Sequence, residues 1–385
     1  MNRALVLVYI TGLIIGTSYG LHGPILPVFA KNVIGASYSE LGFIGLANFI
    51  PYMFIPIFVG ILLDKFNNGY ILALGVAINS TSIYLLSIAQ SVPEIMGFRI
   101  ITGIAHAFFW PPCQSIISNE SSEQTRVRNI SWFTMFFVMG FMIGPLLGTV
   151  FLENLDITYR ILFQITAFIL ASAIICALII SRKSVTNHHE RFSFLSIKEM
   201  KKFPEVIILL IFCTSSFGIV LSIYPAFLND SGMSDTDILL LYFAFGMSRV
   251  ISLSLAEKFS RKTSQTLIAA TIAVSIGLAI SAVSDSIIGF AIALILMGFG
   301  FSIFFPLTLE IILSKTSKTI SGKIIGAYET IFGIGWAIGP TLGGPIAESF
   351  GNHSPYLVFC IMGIGVSILA IKYRKKLEPK RIQNY

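Results

Sequence analysis

The feature that most constrains this chain is a repeat of half its length, carried inside apolar segments long enough to cross a membrane. Gly103–Pro112 (GIAHAFFWPP) aligns with Gly298–Leu307 (GFGFSIFFPL), and Gly140–Gly148 (GFMIGPLLG) with Gly335–Gly343 (GWAIGPTLG), both at an offset of 195 residues. Two separate blocks in one register are hard to obtain by chance from generic apolar sequence. Ser18–Phe29 (SYGLHGPILPVF) also resembles Ser216–Phe227 (SFGIVLSIYPAF), and Leu62–Phe66 (LLDKF) recurs as Leu255–Phe259 (LAEKF). The chain therefore reads as a duplication, two bundles of like topology.

The 385 residues are 55% hydrophobic and only 12% charged, with a mean hydropathy of +0.83, which excludes an ordinary soluble domain. A helix needs roughly 20 apolar residues to cross the hydrocarbon. Twelve segments meet or approach that length, at 4–29, 39–62, 71–90, 94–118, 130–152 and 159–181, then 205–228, 235–256, 265–283, 286–312, 323–350 and 353–374. A duplicated six-helix unit requires the same number. The expected fold is an all-α membrane protein of twelve transmembrane helices in two pseudo-symmetric six-helix bundles. The bundles span residues 1–181 and 205–374, joined by a polar linker at 182–204 and followed by a basic tail at 375–385. The first span is long and precedes further spans, so it reads as a helix rather than a cleaved leader.

With the N-terminus inside, 22 of the 26 Lys and Arg residues fall in cytoplasmic segments, while Lys31 and Arg160 lie outside and Arg99 and Arg249 lie within spans. That asymmetry orients a multi-pass protein of the cell membrane with both termini cytoplasmic. It accounts for the net charge of +7 without a nucleic-acid partner. Cys113, Cys176, Cys213 and Cys360 fall within spans with no CxxC pair, as small packing residues do. His188 and His189, adjacent in the linker, supply too few ligands for a metal site. There is no HExxH, GxSxG or phosphate-binding loop, so neither an enzyme nor an ATP-driven pump is expected, and no cofactor or metal.

Three motifs carry a resemblance to a known family. Gly60-Ile61-Leu62-Leu63-Asp64-Lys65-Phe66 stands between the second and third spans; Arg99-Ile100-Ile101-Thr102-Gly103 lies in the fourth; Gly140, Gly144, Pro145 and Gly148 stripe the fifth. The eleventh holds a fuller form of the last, with Gly326, Gly335, Gly339, Pro340, Gly343 and Gly344. The chain thereby resembles the major facilitator superfamily over essentially its whole length, in its drug and metabolite antiporter branch. The resemblance implies a monomeric secondary transporter of a small molecule that works by alternating access, with spans one, four, seven and ten around a central cavity. Parallel six-helix repeats in such carriers place the substrate near the bilayer midplane.

It also implies a cytoplasmic latch at Gly60, Asp64 and Lys65, with Glu257 as the counterpart in the second repeat. A small residue lets helices approach, and a carboxylate at a helix end interacts with a facing N-terminus. Asn67 stands where the family usually has Gly, and Asn68 and Gly69 where basic residues are usual, which implies a weakened latch. The glycine stripes imply smooth faces on which two halves rock, and the fifth-span motif implies antiport and so leans toward export.

An arginine inside a span is costly unless it meets a partner or a wet cavity, so Arg99 is a substrate-binding candidate. His106 follows two turns along the same face. His22, Tyr19 and Tyr224 are candidates to join it, and His22 and His106 fit neutral packing roles equally well. Carboxylates within spans are scarce: Glu329 is the best buried proton carrier, with His106 as another, and Glu310 lies near a helix end. Arg249 has Glu329 or Glu310 as possible partners. Abundant aromatics such as Tyr52, Phe109, Trp110, Phe305 and Trp336 favour efflux of an amphipathic drug-like compound. Arg99 with two histidines favours uptake or exchange of an anionic or polar metabolite. A transport-inactive sensor would need the same fold, but no signalling domain is appended. Pro111 and Pro306, at equivalent points of two spans, are expected to kink them.

Overall fold

A computed structural model describes residues 2–63, 65–182, 200–316 and 321–380. Asp64, most of the linker with His188 and His189, Lys318 and the last five residues lie outside the described residues. Helices account for nearly all of the rest, in twelve crossings. The first, α1, runs Arg3–His22 and resumes as Ile25–Asn32; α2 is Tyr38–Leu63 and α3 Asn68–Leu86. Then α4 runs Val92–Ala107 and Trp110–Asn119, α5 Glu123–Thr149 with a π turn at Val150–Asn154, and α6 Tyr159–Ser181. In the second half α7 runs Pro204–Ser222 and Tyr224–Asp230, α8 Asp235–Ser254, α9 Thr263–Val283, α10 Ile287–Ser314, α11 Ser321–Phe350 and α12 Ser354–Lys372. Ten of these are long and apolar enough to cross a membrane among the described residues, and α2 and α11 complete the set with 26 and 30 residues.

Helix starts are set by side-chain caps that satisfy the free N–H groups of the first turn. Asn2 accepts from Ala4 N–H, Asn67 from Gly69 N–H and Ser286 from Gly289 N–H, while Ser234 and Asp237 form a reciprocal capping box. Inside the spans, hydroxyls turn back on the preceding turn, as Thr11 does to Leu7 O and Thr214 to Leu210 O, since lipid offers them no partner. Breaks fall where the backbone demands them. Gly23-Pro24 interrupts α1, Ile223 before Tyr224-Pro225 interrupts α7, and Phe108-Phe109 before the Pro111-Pro112 pair interrupts α4. At the expected kink in α10 the helix runs unbroken through Pro306, where a single proline replaces the pair.

The glycine stripes, expected as smooth faces on which the two halves rock, pack mostly inside each half. A Cβ on Gly140 would lie 2.1 Å from Leu13 O, and one on Gly144 2.4 Å from Thr17 O, so this stripe knits α5 to α1. Gly335 and Gly339 do the same for α11 against α7, the latter with a Cβ position 2.0 Å from Ser215 O. Only Gly148 of the α5 motif faces the other half, against Leu239 of α8. The halves meet along two seams related by the repeat, α2 with α11 and α5 with α8. Gly42 against Pro340 and Gly344, and Gly246 against Met142, make those seams close.

One end of the molecule is clasped across the halves. Lys31 pairs with Asp230, which also accepts from Tyr38 Oη at 2.7 Å; Asn32 donates to Asn229 at 2.7 Å. Tyr38 N–H donates to Glu348 at 2.8 Å, Tyr159 Oη to Asp235, and Thr236 Oγ1 to Glu153 at 3.2 Å. At the opposite, lysine- and arginine-rich end, the bonds in view tie elements of the same half: Asn67 Nδ2 to Ser181 O and Asn68 Nδ2 to Ser115 Oγ, both 2.7 Å, and Lys376 to Glu205. The pairing with Glu205 pushes the Lys376 ammonium above its ordinary value.

Of the residues expected to latch this end, Asp64 lies outside the described residues, while Lys65 and Glu257 are exposed. A Cβ on Gly60 would meet nothing within 4 Å, so the close helix approach expected there is absent. Asn67 and Asn68, where the sequence departs from the family pattern, tie α3 to α6 and α4 instead.

Asp230 holds both Lys31 and Tyr38, so Asp230→Asn should remove about 1 kcal/mol of cross-half contact, roughly a fivefold change in a two-state balance. In a background lacking the four cysteines, spin labels at Val33 and Val283, both exposed at the clasped end, should show a larger population of long distances in the variant. An unchanged distribution would mean the clasp does not hold that end shut.

Candidate functional site

Between the halves lies a cavity with about 1540 Å³ of space free of atoms, its mouth included. Residues of both halves line it, and it extends toward the basic end past Gln114, Ile130, Thr134 and Leu253. The lining is mainly aromatic and aliphatic. Trp336 is its hub, with ring centroids 4.9 Å from Phe332, 5.2 Å from Phe49, 5.9 Å from Phe217 and 6.1 Å from Tyr52. Phe217 and Phe301 stack face to face at 3.6 Å.

Among the described lining residues, two histidines, two arginines and one glutamate interrupt this surface: His22, His106, Arg99, Arg249 and Glu329. On the first half, Tyr19 joins three of the polar groups. Its ring stacks on His106 at 4.6 Å and lies 5.5 Å from His22, and its hydroxyl accepts from Asn79 Nδ2 at 2.9 Å. His22 Nδ1 lies 2.6 Å from Ser18 O, which can only accept; the proton therefore sits on Nδ1 and a lone pair remains on Nε2 if the ring is neutral. That Nε2 is buried without a partner, as are Arg99 Nε, Asn48 Oδ1 and Trp336 Nε1, all on lining residues. Buried polar atoms normally find a partner, so four orphans around one cavity mark a surface built for something that enters it.

Glu329 on α11 is the only carboxylate among the described lining residues, and Tyr52 Oη of α2 donates to it at 3.3 Å across the halves. Arg249 therefore does not pair with Glu329. Its Nε donates to Ser302 Oγ at 3.1 Å, and its guanidinium faces the rings of Phe141, Phe217, Phe245 and Phe301 at 5.1–5.6 Å. Each such ring contributes about 0.5–2 kcal/mol to a desolvated cation.

The expected site residues thus divide. Arg99, His106, His22, Tyr19 and Glu329 share the cavity. Tyr224 does not: it is fully buried at the clasped end, bonded to Ser281 at 2.7 Å and packed against Phe227, Phe290 and Tyr356. Asn48 and Asn79 went unremarked in the sequence, although a polar residue in mid-span was signal enough. Among the described residues, no group of His, Cys, Asp and Glu is arranged to hold a metal ion.

Comparison with known proteins gives this geometry its setting. The family model described as Major Facilitator Superfamily matches residues 8–340 and 250–384. The chain is 24% identical, over an alignment of 400 residues, to the quinolone resistance protein NorA of Staphylococcus aureus (strain N315), with 99% of this chain and 100% of that protein covered. Multidrug resistance protein 2 of Bacillus subtilis (strain 168) is 24% identical over 371 residues, covering 91% and 90%. Among solved structures, the nucleoside transporter NupG superposes with a TM-score of 0.76 at 14% identity, covering 99% and 100%. A bacterial homologue of the human lysosomal transporter Spinster, inward-facing and unoccupied, gives 0.73 at 15% identity, covering 97% and 96%. Twelve crossings in two bundles, a cavity between them and a family match along nearly the whole chain lead to one conclusion: this protein is a membrane transporter belonging to the Major Facilitator Superfamily.

Proposed function

We propose that this transporter exports an aromatic, amphipathic compound across the cell membrane in exchange for protons. The observation that carries the reading is the aromatic cavity between the halves, clasped at the lysine-poor end and reaching toward the basic end. The positive-inside rule makes the basic end cytoplasmic, so the cavity as it stands would take its cargo from the cytoplasm. The quinolone and multidrug resistance proteins, similar along essentially their whole length, support export of drug-like cargo. The solved structures share the fold and bear on no substrate.

In the proposed cycle, residues 1–181 and 205–374 rock as two bodies on the α2–α11 and α5–α8 seams, with 182–204 as their cytoplasmic linker. The protein works as a monomer, both termini inside. Breaking the clasp and closing the basic end would turn the cavity outward. Gly60, Asp64, Lys65 and Glu257 would then act at the basic end, whereas Gly140, Gly144, Pro145, Gly335, Gly339 and Pro340 keep each half stiff. Glu329, the one carboxylate among the described lining residues, carries the proton. Its bond to Tyr52 crosses the halves, so a change of protonation there alters a contact that movement must break.

In inside-out vesicles an imposed proton gradient should drive accumulation of an aromatic probe such as ethidium. Glu329→Gln should lose that gradient-driven uptake by about tenfold or more while retaining exchange of labelled for unlabelled probe. Gradient-driven uptake that persists in the variant would remove Glu329 from the coupling.

A second reading, transport of an anionic or polar metabolite, is favoured by Arg99, whose Nε is buried without a partner beside His22 and His106. A thermal-shift panel of anionic metabolites, sugars and lipophilic cations on the purified protein separates the two. Stabilisation by anions that vanishes in Arg99→Ala would establish the metabolite reading. Stabilisation by lipophilic cations that survives the substitution would establish the exporter.

A further inference from the structure

Arg249 is the charged group that neither reading uses. It comes from α8, is 8% exposed, and lines the cavity together with Ser302. Four phenyl rings surround its guanidinium, Phe217, Phe245 and Phe301 from the second half and Phe141 from the first. Ring faces attract a cation without neutralising it. No described carboxylate lies within ion-pair distance of it, and the partner seen for Glu329 is Tyr52. A purely structural arginine at this depth would be expected to carry a counter-ion, because an unpaired charge away from water is destabilising.

The donor inventory points the same way. Only Nε has a protein acceptor, Ser302 Oγ. The two terminal nitrogens bond to no protein atom, yet they are not among the enclosed, unpartnered atoms of the molecule. They are therefore open to the cavity. A planar fork of N–H donors in a water-poor, ring-lined recess matches the paired oxygens of a carboxylate or sulfonate, and the stacked Phe217 and Phe301 lie beside it for an aromatic body.

We propose, resting on the reading of this cavity as the transport site, that Arg249 is its anion-binding end and that the transported compound carries a carboxylate or sulfonate on an aromatic frame. The fork holds the oxyanion while the surrounding rings exclude water and select the frame. Because Phe141 belongs to the opposite half, the box is complete only while α5 and α8 are in register. The anion is accordingly bound more tightly in one conformation than in the other.

The test uses the full chain in lipid nanodiscs, with quenching of tryptophan fluorescence as readout, since Trp110 and Trp336 line the cavity. The probes are 2-naphthalenesulfonate and its neutral isostere 2-naphthalenesulfonamide. Wild type should bind both, the sulfonate more tightly. Arg249→Gln should weaken the sulfonate by about tenfold or more and the sulfonamide by less than about twofold, whereas Arg249→Lys should keep most of the preference. Equal binding of the two probes by wild type, or equal weakening of both in Arg249→Gln, would overturn the anion site and leave the cavity reading intact. Failure of wild type to bind either probe would overturn both. Should Arg249→Gln not fold, the wild-type preference and its survival in Arg249→Lys decide the matter.

Discussion

The structure depends on two seams where backbones touch, α1 on α5 and α7 on α11. A Cβ on Gly16 would stand 2.0 Å from Phe137 O, and one on Gly339 2.0 Å from Ser215 O, so no side chain fits at either crossing. Lipid tails are as apolar as leucine, and helices in a bilayer associate through such close packing rather than through expulsion of water. These seams make each half a stiff body. Movement is then left to the interfaces between halves, where a polar clasp ties the rim at one end.

Stiff halves also fix where charge can reside. The hydrocarbon tolerates an arginine or glutamate only in a wet recess or beside a partner. Among the described lining residues the three arginine and glutamate side chains stand between the halves, and each has found a different accommodation. Arg99 sits amid Tyr19 and two histidines, Arg249 amid phenyl rings, and Glu329 on a tyrosine hydroxyl from the opposite half. Two cations against one carboxylate leave the recess with formal positive charge.

Much of this architecture was legible in the sequence. The twelve apolar segments correspond to twelve helical crossings within a few residues, because a bilayer imposes both length and composition. Neighbour relations were less legible. The spacing of Gly140, Gly144 and Gly148 announces a smooth helix face, but not which helix meets it, and most of that face turned out to lie inside one half. Charge alone points Arg249 to a carboxylate, whereas phenylalanines surround it, and a sequence with 33 of them singles out none. Lys31, Asp230 and Tyr38 sit at loop ends with no periodic pattern, so only their spatial meeting reveals the clasp. Tyr224 stands in the repeated stretch of α7 opposite Leu26, but its ring turns into the packed clasped end, bonded to Ser281, and not into the cavity.

Among the described lining residues a single carboxylate stands between fixed cations, and the cargo's sign therefore selects the kind of coupling. Neutralising Glu329 removes a negative charge from the recess, which strengthens the hold on an anion and weakens the hold on a cation. By thermodynamic reciprocity the anion then strengthens the hold on the proton, and the cation opposes it. A purely anionic cargo would thus travel with its proton, as in symport, while a cationic group near Glu329 would compete with the proton and give antiport. An amphoteric compound, with its oxyanion on Arg249 and its cation toward Glu329, would satisfy both ends of the recess and still be exchanged for a proton.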